Sequence, residues 1–382
     1  MSLPPLPITL VGSWPRRKNL LRAQKAKRKG ELSPAEFHSA ADDEVLRVLA
    51  LQEGAGVDIV TDGEQRRDSF FSFVADKLDG VEMMTLAEML DVIEDKAGFE
   101  MILQTLDVPA FSISNATCVG PVSRREPLAV DELRFLKQHT EKPVKVPLPG
   151  PYLLTRGMFV REVSQPHYET KEALGDAVVA LLRDEISELL EEGADFIQFD
   201  EPVLTEVVFT QGQARTFMCA HLAATSDPTE ELEFAESLIN RVVDGIDFEA
   251  YGARVGLHIC RGNWSQDEST LLSGSYDPLS AYMQRMNVKQ LVLEYATERA
   301  GDVMEFSGKE LGLGVVNPRT ERVETAEEIR QDIERALELY PKDQLFINPD
   351  CGFATFSNRP VNSDEIAISK VQAMREAVEP LR

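Results

Sequence analysis

Two cysteines, a histidine and a glutamate are the residues of this 382-residue sequence whose types and spacing most clearly suggest chemistry. His258 and Cys260 are two positions apart, Glu294 ends an apolar run, and Cys351 stands in the segment INPDCGF. Residues i and i+2 of a strand point to the same side, so His258 and Cys260 can reach one ion together. Zinc takes cysteine, histidine and carboxylate ligands, whereas thiolates argue against magnesium or calcium. The four residues therefore predict a Zn²⁺ site, although a lone His-x-Cys pair is weak and buried cysteine is usually a small hydrophobic residue.

The elements that must position these residues are short apolar runs separated by helical patterns. Eight runs are predicted to be strands, at 8–12, 57–61, 144–148, 195–199, 254–258, 290–294, 311–316 and 344–348. Amphipathic helices are predicted at 171–193, which Gly193 should end, and at 325–341, which Thr325 should cap. The alternation predicts an α/β fold, specifically a (β/α)₈ barrel, in which chemistry gathers at the C-terminal strand ends. The candidate zinc ligands follow such ends.

One interval is too long for a single loop and helix. About 80 residues separate Thr61 from Val144, which exceeds an ordinary connection. We predict an insertion after the second strand, at about 65–140, with a helix near 84–97 and a strand at 111–120. The whole chain, 1–382, is predicted to be one catalytic barrel domain.

Composition excludes several classes of protein. Asp and Glu total 65 against 40 Lys and Arg, a formal charge of −25, which disfavours binding to nucleic acid or to an anionic membrane. No apolar run approaches the roughly 18 residues of a membrane span, and the N-terminus lacks a signal-peptide pattern. The four cysteines do not form a disulfide scaffold, so we expect a cytoplasmic protein with reduced thiols. A basic segment at 16–30 is either a solvated face or an anion site, and the oligomeric state is left open.

Seven segments resemble the catalytic C-terminal barrel of cobalamin-independent methionine synthase. They are VGSWPR at 11–16, DGEQRRDSF at 62–70, VPLPGPYLL at 146–154, IQFDEPVL at 197–204, HIC at 258–260, LVLEYA at 291–296 and INPDCGF at 347–353. They follow the family order across most of the chain, and the last is the most specific. The resemblance implies a zinc-dependent methyltransferase of methionine biosynthesis that methylates the thiol of homocysteine.

The resemblance also implies roles for individual residues. The zinc ligands would be His258, Cys260, Glu294 and Cys351, and the homocysteine-binding residues would be Ser13, Glu64 and Asp200. A free thiol has a pKa near 8.5, and binding to zinc deprotonates it. The zinc-bound substrate thiolate is therefore the expected nucleophile, with no separate protein nucleophile. Cys118 and Cys219 are expected to be structural.

Three departures from the family concern the methyl donor. The full-length synthase has a second, N-terminal barrel, which we do not expect before Met1. Gly157 stands where the family has a tryptophan that stacks on folate, and Arg319 stands where it has a histidine that assists proton transfer. Candidate donor-site residues are Trp14, Arg16, Arg17 and Arg319, and the pterin could instead contact Trp14, Tyr152 or Phe159. The donor is expected to be methyltetrahydrofolate, or else methylcobalamin or a corrinoid protein, and the departures favour the corrinoid.

The same residues are compatible with other functions. The first is a zinc-dependent alkyltransferase acting on another thiol, such as coenzyme M opening an epoxide. An acceptor without an amino group would have less use for both Glu64 and Asp200. A non-catalytic zinc-binding barrel is a further alternative, and a zinc hydrolase is disfavoured because hydrolase zinc usually has histidine or carboxylate ligands.

Overall fold

In a computed structural model of the protein, six parallel strands form the central sheet. The structure describes residues 3–92, 114–209, 227–263, 266, 271–357 and 361–382. Its strands are β1 Leu78–Thr85, β2 Ser114–Arg124, β3 Lys145–Pro149, β4 Phe196–Asp200, β5 Arg254–Ile259, β6 Gln290–Leu293, β7 Glu310–Val316 and β8 Leu345–Pro349. The central sheet has the order β3-β4-β5-β6-β7-β8, so each strand pairs with its successor along the chain. Six of the eight predicted strands are thereby confirmed.

The first two predicted strands, at 8–12 and 57–61, are wrong, because these segments form only isolated β-bridges. Ile8 and Thr9 form single parallel bridges, to Ile347 and Ile59, and Val60 bridges to Val144. Side chains take over bonds that a longer ladder would make: Asp58 accepts from the Ile8 N–H at 2.8 Å. The Gln52 side chain likewise accepts from the Thr61 N–H at 3.0 Å.

α-Helices lie between most successive strands of the central sheet; among the described residues, β6 and β7 are joined without one. The described α-helices are Lys18–Arg28, Pro34–Ala55, Leu86–Val92, Val130–Lys137, Pro151–Met158, Arg161–Ser164, Lys171–Glu191, Val203–Phe209, Pro228–Val243, Asp277–Arg285, Ala326–Leu337 and Asp364–Val378. Thr325 caps its helix through a reciprocal pair with Glu328, and Gly193 follows its helix at φ 80°. Both helix boundaries agree with the sequence pattern. No described helix is both long and apolar enough to span a membrane.

The interval between the Val60 bridge and β3 contains a two-stranded sheet. β1 pairs with β2 in antiparallel orientation. The predicted strand at 111–120 is observed as Ser114–Arg124, and the helix predicted near 84–97 is observed over Leu86–Val92, directly after β1. The remainder of that predicted helix lies outside the described residues.

The strands of the central sheet are buried along nearly their whole length. β3, β4, β6, β7 and β8 have every residue buried. Apolar runs of this kind suit a parallel sheet covered on both faces. The polar side chains at the C-terminal ends of β4, β5, β6 and β8 are therefore held by rigid elements in a buried environment.

Candidate metal centre and adjoining cavity

Three predicted zinc ligands come together at the C-terminal edge of the sheet. His258 lies in β5, Cys260 follows that strand directly, and Cys351 follows β8 by two residues. One ligand atom from each lies within 4.8 Å of the others, and all three residues are buried. Among the described residues this is the group whose spacing suits a metal ion. A soft donor set of two thiolates and an imidazole fits zinc chemistry.

The imidazole of His258 is oriented for metal binding. Nδ1 lies 3.0 Å from the carbonyl oxygen of Val292, which can only accept a hydrogen bond. Nδ1 therefore carries the proton, and the buried Nε2 has no hydrogen-bond partner. An imidazole held through its other nitrogen by a carbonyl is the usual arrangement of a metal ligand. The geometry of His258 thus fits a metal ion.

His258, Cys260 and Cys351 shift one another's pKa values. Burial would lower the pKa of His258, but the Cys260 sulfur, with Asp200 and Glu294, raises it to about 9. A hydrogen bond from Cys351 lowers the pKa of Cys260 well below its ordinary value. The same contact, with burial, raises the pKa of Cys351. Cys260 is therefore the first of the two thiols to become a thiolate.

Glu294, the fourth predicted zinc ligand, is held by two arginines. It follows β6 directly and is buried. Its Oε2 accepts from the Arg261 backbone N–H at 2.9 Å, and its Oε1 accepts from Arg319 Nη2 at 3.1 Å. It does not belong to the group of three ligand atoms within 4.8 Å. Arg319 is fully buried beside it, so its guanidinium pairs with a predicted ligand and does not line the adjoining cavity.

A cavity adjoins the metal group. Its lining includes three of the four predicted zinc ligands, His258, Cys260 and Cys351, and the three predicted substrate-binding residues, Ser13, Glu64 and Asp200. These six residues come from five separate stretches of the chain. A small molecule bound here could therefore contact the metal ion and the three polar residues at once.

Ser13 and Glu64 leave no room for side chains on neighbouring glycines. A Cβ added to Gly352 would lie 2.1 Å from Ser13 Oγ, and one added to Gly12 would lie 2.3 Å from Glu64 Oε1. Such distances are far below contact distance. The glycines of the VGS and DCG segments therefore allow the two polar side chains to approach the backbone closely.

Glu64 is a carboxylate placed under strain. Its φ is +54°, unusual for a residue other than glycine. It is buried, and its Oε2 has no hydrogen-bond partner. Burial is the main cause that raises its pKa to about 8, with Asp200 adding to the shift and Arg67 opposing it. An unpartnered acceptor at the cavity suits a cationic group of a ligand.

Asp200 supplies a second acidic group to the cavity. It is the last residue of β4. Burial raises its pKa to about 6, and His258 opposes that shift. Its Oδ1 accepts from Gln198 Nε2 at 2.8 Å. Two carboxyl groups with raised pKa values would both be driven to ionise by a bound ammonium group.

The predicted donor-site residues do not line the cavity. Trp14 and Tyr152 are fully buried, and Trp14 Nε1 donates to Asp364 Oδ1 at 2.7 Å. Arg16 is also buried and donates to the backbone oxygens of Glu64 and Ala354. Arg17 is exposed, with 57% of its side chain accessible. Gly157, Phe159, Arg17 and Trp14 do not line the cavity.

Sequence reasoning missed other cavity residues. Phe70 and Phe356 line it, with ring centroids 6.3 Å apart and planes at 79°. Glu206 lines it too, and burial, with Cys260, raises its pKa well above the usual range. Phe70 ends the segment DGEQRRDSF and Glu206 follows the DEP segment, so both stood beside motifs that were recognised. Cys118 is buried in β2, outside the metal group, and Cys219 lies outside the described residues.

Known proteins resemble this chain over its whole length. The family model of the cobalamin-independent synthase catalytic domain matches residues 6–379. A methionine synthase of Thermococcus kodakarensis is 30% identical, with 100% of this chain and 95% of the relative covered. One of Pyrococcus furiosus is also 30% identical, over 100% of this chain and 94% of the relative. In fold, the chain is similar to a B12-independent methionine synthase from Shewanella sp. W3-18-1 solved with selenomethionine, at a TM-score of 0.72, 23% identity and coverage of 99% and 98%. The chain therefore belongs to the cobalamin-independent methionine synthase family, as a methyltransferase that carries its catalytic domain.

Proposed function

We propose that this chain transfers a methyl group to the sulfur of homocysteine in a zinc-dependent reaction that yields methionine. The observation that carries the proposal is the shared cavity: a His-Cys-Cys group and three polar residues suited to an amino acid line the same space. Bound zinc would supply a deprotonated, nucleophilic substrate thiolate at neutral pH. A thiol substrate and thiolate ligands both require reduced sulfur, which supports the expected cytoplasmic location.

The residues of the chain orient the acceptor. Glu64 and Asp200 are proposed to bind its ammonium group, and the Ser13 hydroxyl is proposed to bind its carboxylate. His258, Cys260 and Cys351 would hold the zinc ion, with Glu294 as fourth ligand. The substrate sulfur acts as the nucleophile, so the protein needs to position it and need not supply a nucleophile of its own.

The methyl donor is proposed to be methyltetrahydrofolate. The family is defined as cobalamin-independent, so the expected preference for methylcobalamin or a corrinoid protein is not supported. The prediction rested on Gly157, which offers no aromatic surface, and on Arg319, whose guanidinium is a poor proton donor. Phe70 and Phe356 do line the cavity, and aromatic rings of this kind can contact a pterin through their faces or edges.

The fold proposed for the catalytic domain is a closed eight-stranded barrel formed by residues 1–382. Backbone bonds support it: Thr9 N donates to the Ile347 oxygen at 2.9 Å, and Lys145 N donates to the Val60 oxygen at 2.8 Å. These bonds join the two short segments to β8 on one side and to β3 on the other. Closure would leave neither β3 nor β8 as a free edge.

The proposal is tested by comparing two acceptors. Homocysteine and 4-mercaptobutanoate differ by the amino group alone, and methylated product is measured with methyltetrahydrofolate as donor. Wild type should prefer homocysteine, and Asp200→Asn should lose about tenfold or more in its affinity for homocysteine, because a charge-assisted contact is worth about 1.5–3 kcal/mol.

Zinc content and the affinity for 4-mercaptobutanoate serve as the controls for Asp200→Asn, and both should stay unchanged. Equal use of both thiols by wild type would instead favour an acceptor without an amino group, as in a coenzyme M alkyltransferase. Turnover with methylcobalamin that exceeds turnover with the folate would contradict the proposed donor.

A further inference from the structure

A line of buried polar groups runs through the sheet interior beneath the cavity. Lys145 is the first residue of β3, Gln198 lies in the middle of β4, and Asp200 ends β4. Lys145 and Gln198 are 1% and 0% exposed. Gln198 and Asp200 are two residues apart on one strand and therefore face the same side. Neither Lys145 nor Gln198 lines the cavity.

The amide of Gln198 can take only one orientation. Its Nε2 donates to the Val11 carbonyl oxygen at 2.9 Å and to Asp200 Oδ1 at 2.8 Å. Its Oε1 accepts from Lys145 Nζ at 3.2 Å. A flipped amide would place Oε1 against two acceptors, the Val11 carbonyl and the Asp200 carboxylate, and would turn Nε2 toward the Lys145 donor. Val11, Asp200 and Lys145 together therefore determine which end of the amide faces Asp200.

Lys145 can make these bonds in either protonation state. Its Nζ donates to the Leu10 carbonyl oxygen at 2.9 Å as well as to Gln198. Burial lowers the pKa of Lys145 to about 7, opposed by Asp200. A neutral amine still has two N–H donors, enough for both partners. Nζ also lies 4.5 Å from the centroid of the Phe196 ring, a position in which the charged form is stabilised by the ring face.

The same groups tie Asp200 to the segment that carries Ser13. Leu10 and Val11, whose carbonyls accept from Lys145 and Gln198, precede Ser13 by three and two residues. A rigid polar network of this kind holds its members in one geometry when every member is satisfied. The spacing between Ser13 and Asp200 is therefore set from below the cavity.

We propose that Lys145 and Gln198 are positioning residues that hold Asp200, and its spacing from Ser13, in the geometry that selects an amino-acid thiol. The inference rests on the proposed function, in which Asp200 binds the substrate ammonium group. Gln198 acts through Asp200 and does not contact the substrate. Its removal should therefore affect acceptors that carry an ammonium group and spare acceptors that lack one.

The test compares Gln198→Met with Gln290→Met. Gln290 is also a fully buried glutamine, at the start of β6, and its amide donates to Glu310. Gln198→Met should raise the KM for homocysteine about tenfold, with kcat changed less than about threefold, because a hydrogen bond to a charged group is lost. The KM for 4-mercaptobutanoate should not change. Gln290→Met should leave both KM values unchanged.

A double-mutant cycle shows whether the effect passes through Asp200. Adding Gln198→Met to Asp200→Asn should raise the KM for homocysteine by less than about twofold, since coupled residues are not additive. Full additivity, or an unchanged KM in folded Gln198→Met, overturns the proposal. Lys145→Met removes the donor to the amide oxygen and to the Leu10 carbonyl. It should show the same selective loss and serves if Gln198→Met does not fold.

Failure of the proposed function gives a different result. If wild type binds homocysteine no better than 4-mercaptobutanoate, Asp200 does not bind an ammonium group. That result contradicts both the proposed function and the positioning role of Lys145 and Gln198. If wild type discriminates and Gln198→Met discriminates equally, only the positioning role is overturned.

Discussion

Glu64 shows at the level of a single residue how stability and binding oppose each other. Its backbone has φ +54°, and its carboxyl is buried with Oε2 unpartnered. A strained residue of this kind costs about 1–3 kcal/mol, and such strain often marks a binding site. The buried carboxyl of Glu64 therefore costs stability, and the charge of a cationic ligand would offset that cost.

Replacing Glu64 by glutamine should stabilise the ligand-free protein in a pH-dependent way. The pKa of Glu64 rises from 4.5 to about 8 on folding, so the folded state binds the proton more tightly than the unfolded state. Wild type therefore loses stability as the pH rises from 4.5 to 8. Relative to wild type, Glu64→Gln should gain up to about 1.4 kcal/mol per pH unit in this window.

Urea unfolding at several pH values measures this gain. The difference between the two proteins should be small below pH 4.5 and constant above pH 8. A difference that stays flat across the window would show that Glu64 ionises normally. Homocysteine affinity should fall in the same variant, which separates its binding role from its cost in stability.

The cysteines provide a second prediction for single residues. Cys260→Ser and Cys351→Ser should each bind far less zinc than wild type, which is expected to hold about one ion per chain, because each variant removes one soft ligand. Metal analysis after dialysis against a weak chelator measures the loss. Cys118→Ser is the matched control, since Cys118 is equally buried but lies outside the metal group. Full occupancy in either ligand variant would refute the assignment.

At the scale of elements, Glu201 connects β4 to the helix that follows β3. Its Oε1 accepts from Tyr152 N at 2.7 Å and its Oε2 accepts from Leu153 N at 2.9 Å. These N–H groups begin the helix Pro151–Met158 and would otherwise lack partners. A Cβ on Gly150 would lie 2.2 Å from the Glu201 carboxyl. In the DEP segment, Asp200 thus faces the cavity and Glu201 caps a neighbouring helix.

Glu201→Ala should destabilise the protein more than loss of an ordinary cap. It leaves two buried N–H groups unsatisfied, at about 1–3 kcal/mol each. Thr170→Ala, which removes the exposed cap of the helix Lys171–Glu191, should cost about 1 kcal/mol. The free energy of unfolding measures both. Equal costs would show that Glu201 contributes no more than a surface cap, and zinc content should be unchanged in both variants.

For the whole molecule, the proposed closure of the sheet into a barrel can be tested. The segments around Thr9 and Val60 have short pairings in place of full ladders, yet the Thr9 and Lys145 amides donate to carbonyls on neighbouring segments. In a closed barrel these amides open only with the global structure. In an open sheet the edges would open locally.

Hydrogen exchange should therefore protect the Thr9 and Lys145 amides to within about tenfold of the Leu257 amide in the middle of β5. Leu257 is paired on both sides, with β4 and β6, and is the internal reference. Exchange at the rate of a surface loop at either position would contradict closure. Mass spectrometry of peptides from the native protein measures the rates.

Much of the fold was predictable because its signals are local. The six strands β3–β8 are continuous apolar runs, and Thr325 and Gly193 delimit helices by their own chemistry. The two short segments were not predictable in detail. Their pattern reads as strand, but Asp58 and Gln52 replace ladder bonds with side-chain bonds, and only the arrangement of the segments in space determines that substitution.

The sequence by itself determined the family, the alternation of strands and helices, and the residue types gathered at the strand ends. Those properties depend on neighbours along the chain, so they are written in the motifs. Only the tertiary structure decided that Glu294 lies between two arginines, that Trp14 is buried while Phe70 and Phe356 line the cavity, and that Lys145 donates a hydrogen bond to Gln198. These contacts join residues separated by tens to hundreds of positions, for example Gln198 and Val11 across 187. Their distances follow from how the sheet brings its strands together, which no local pattern encodes.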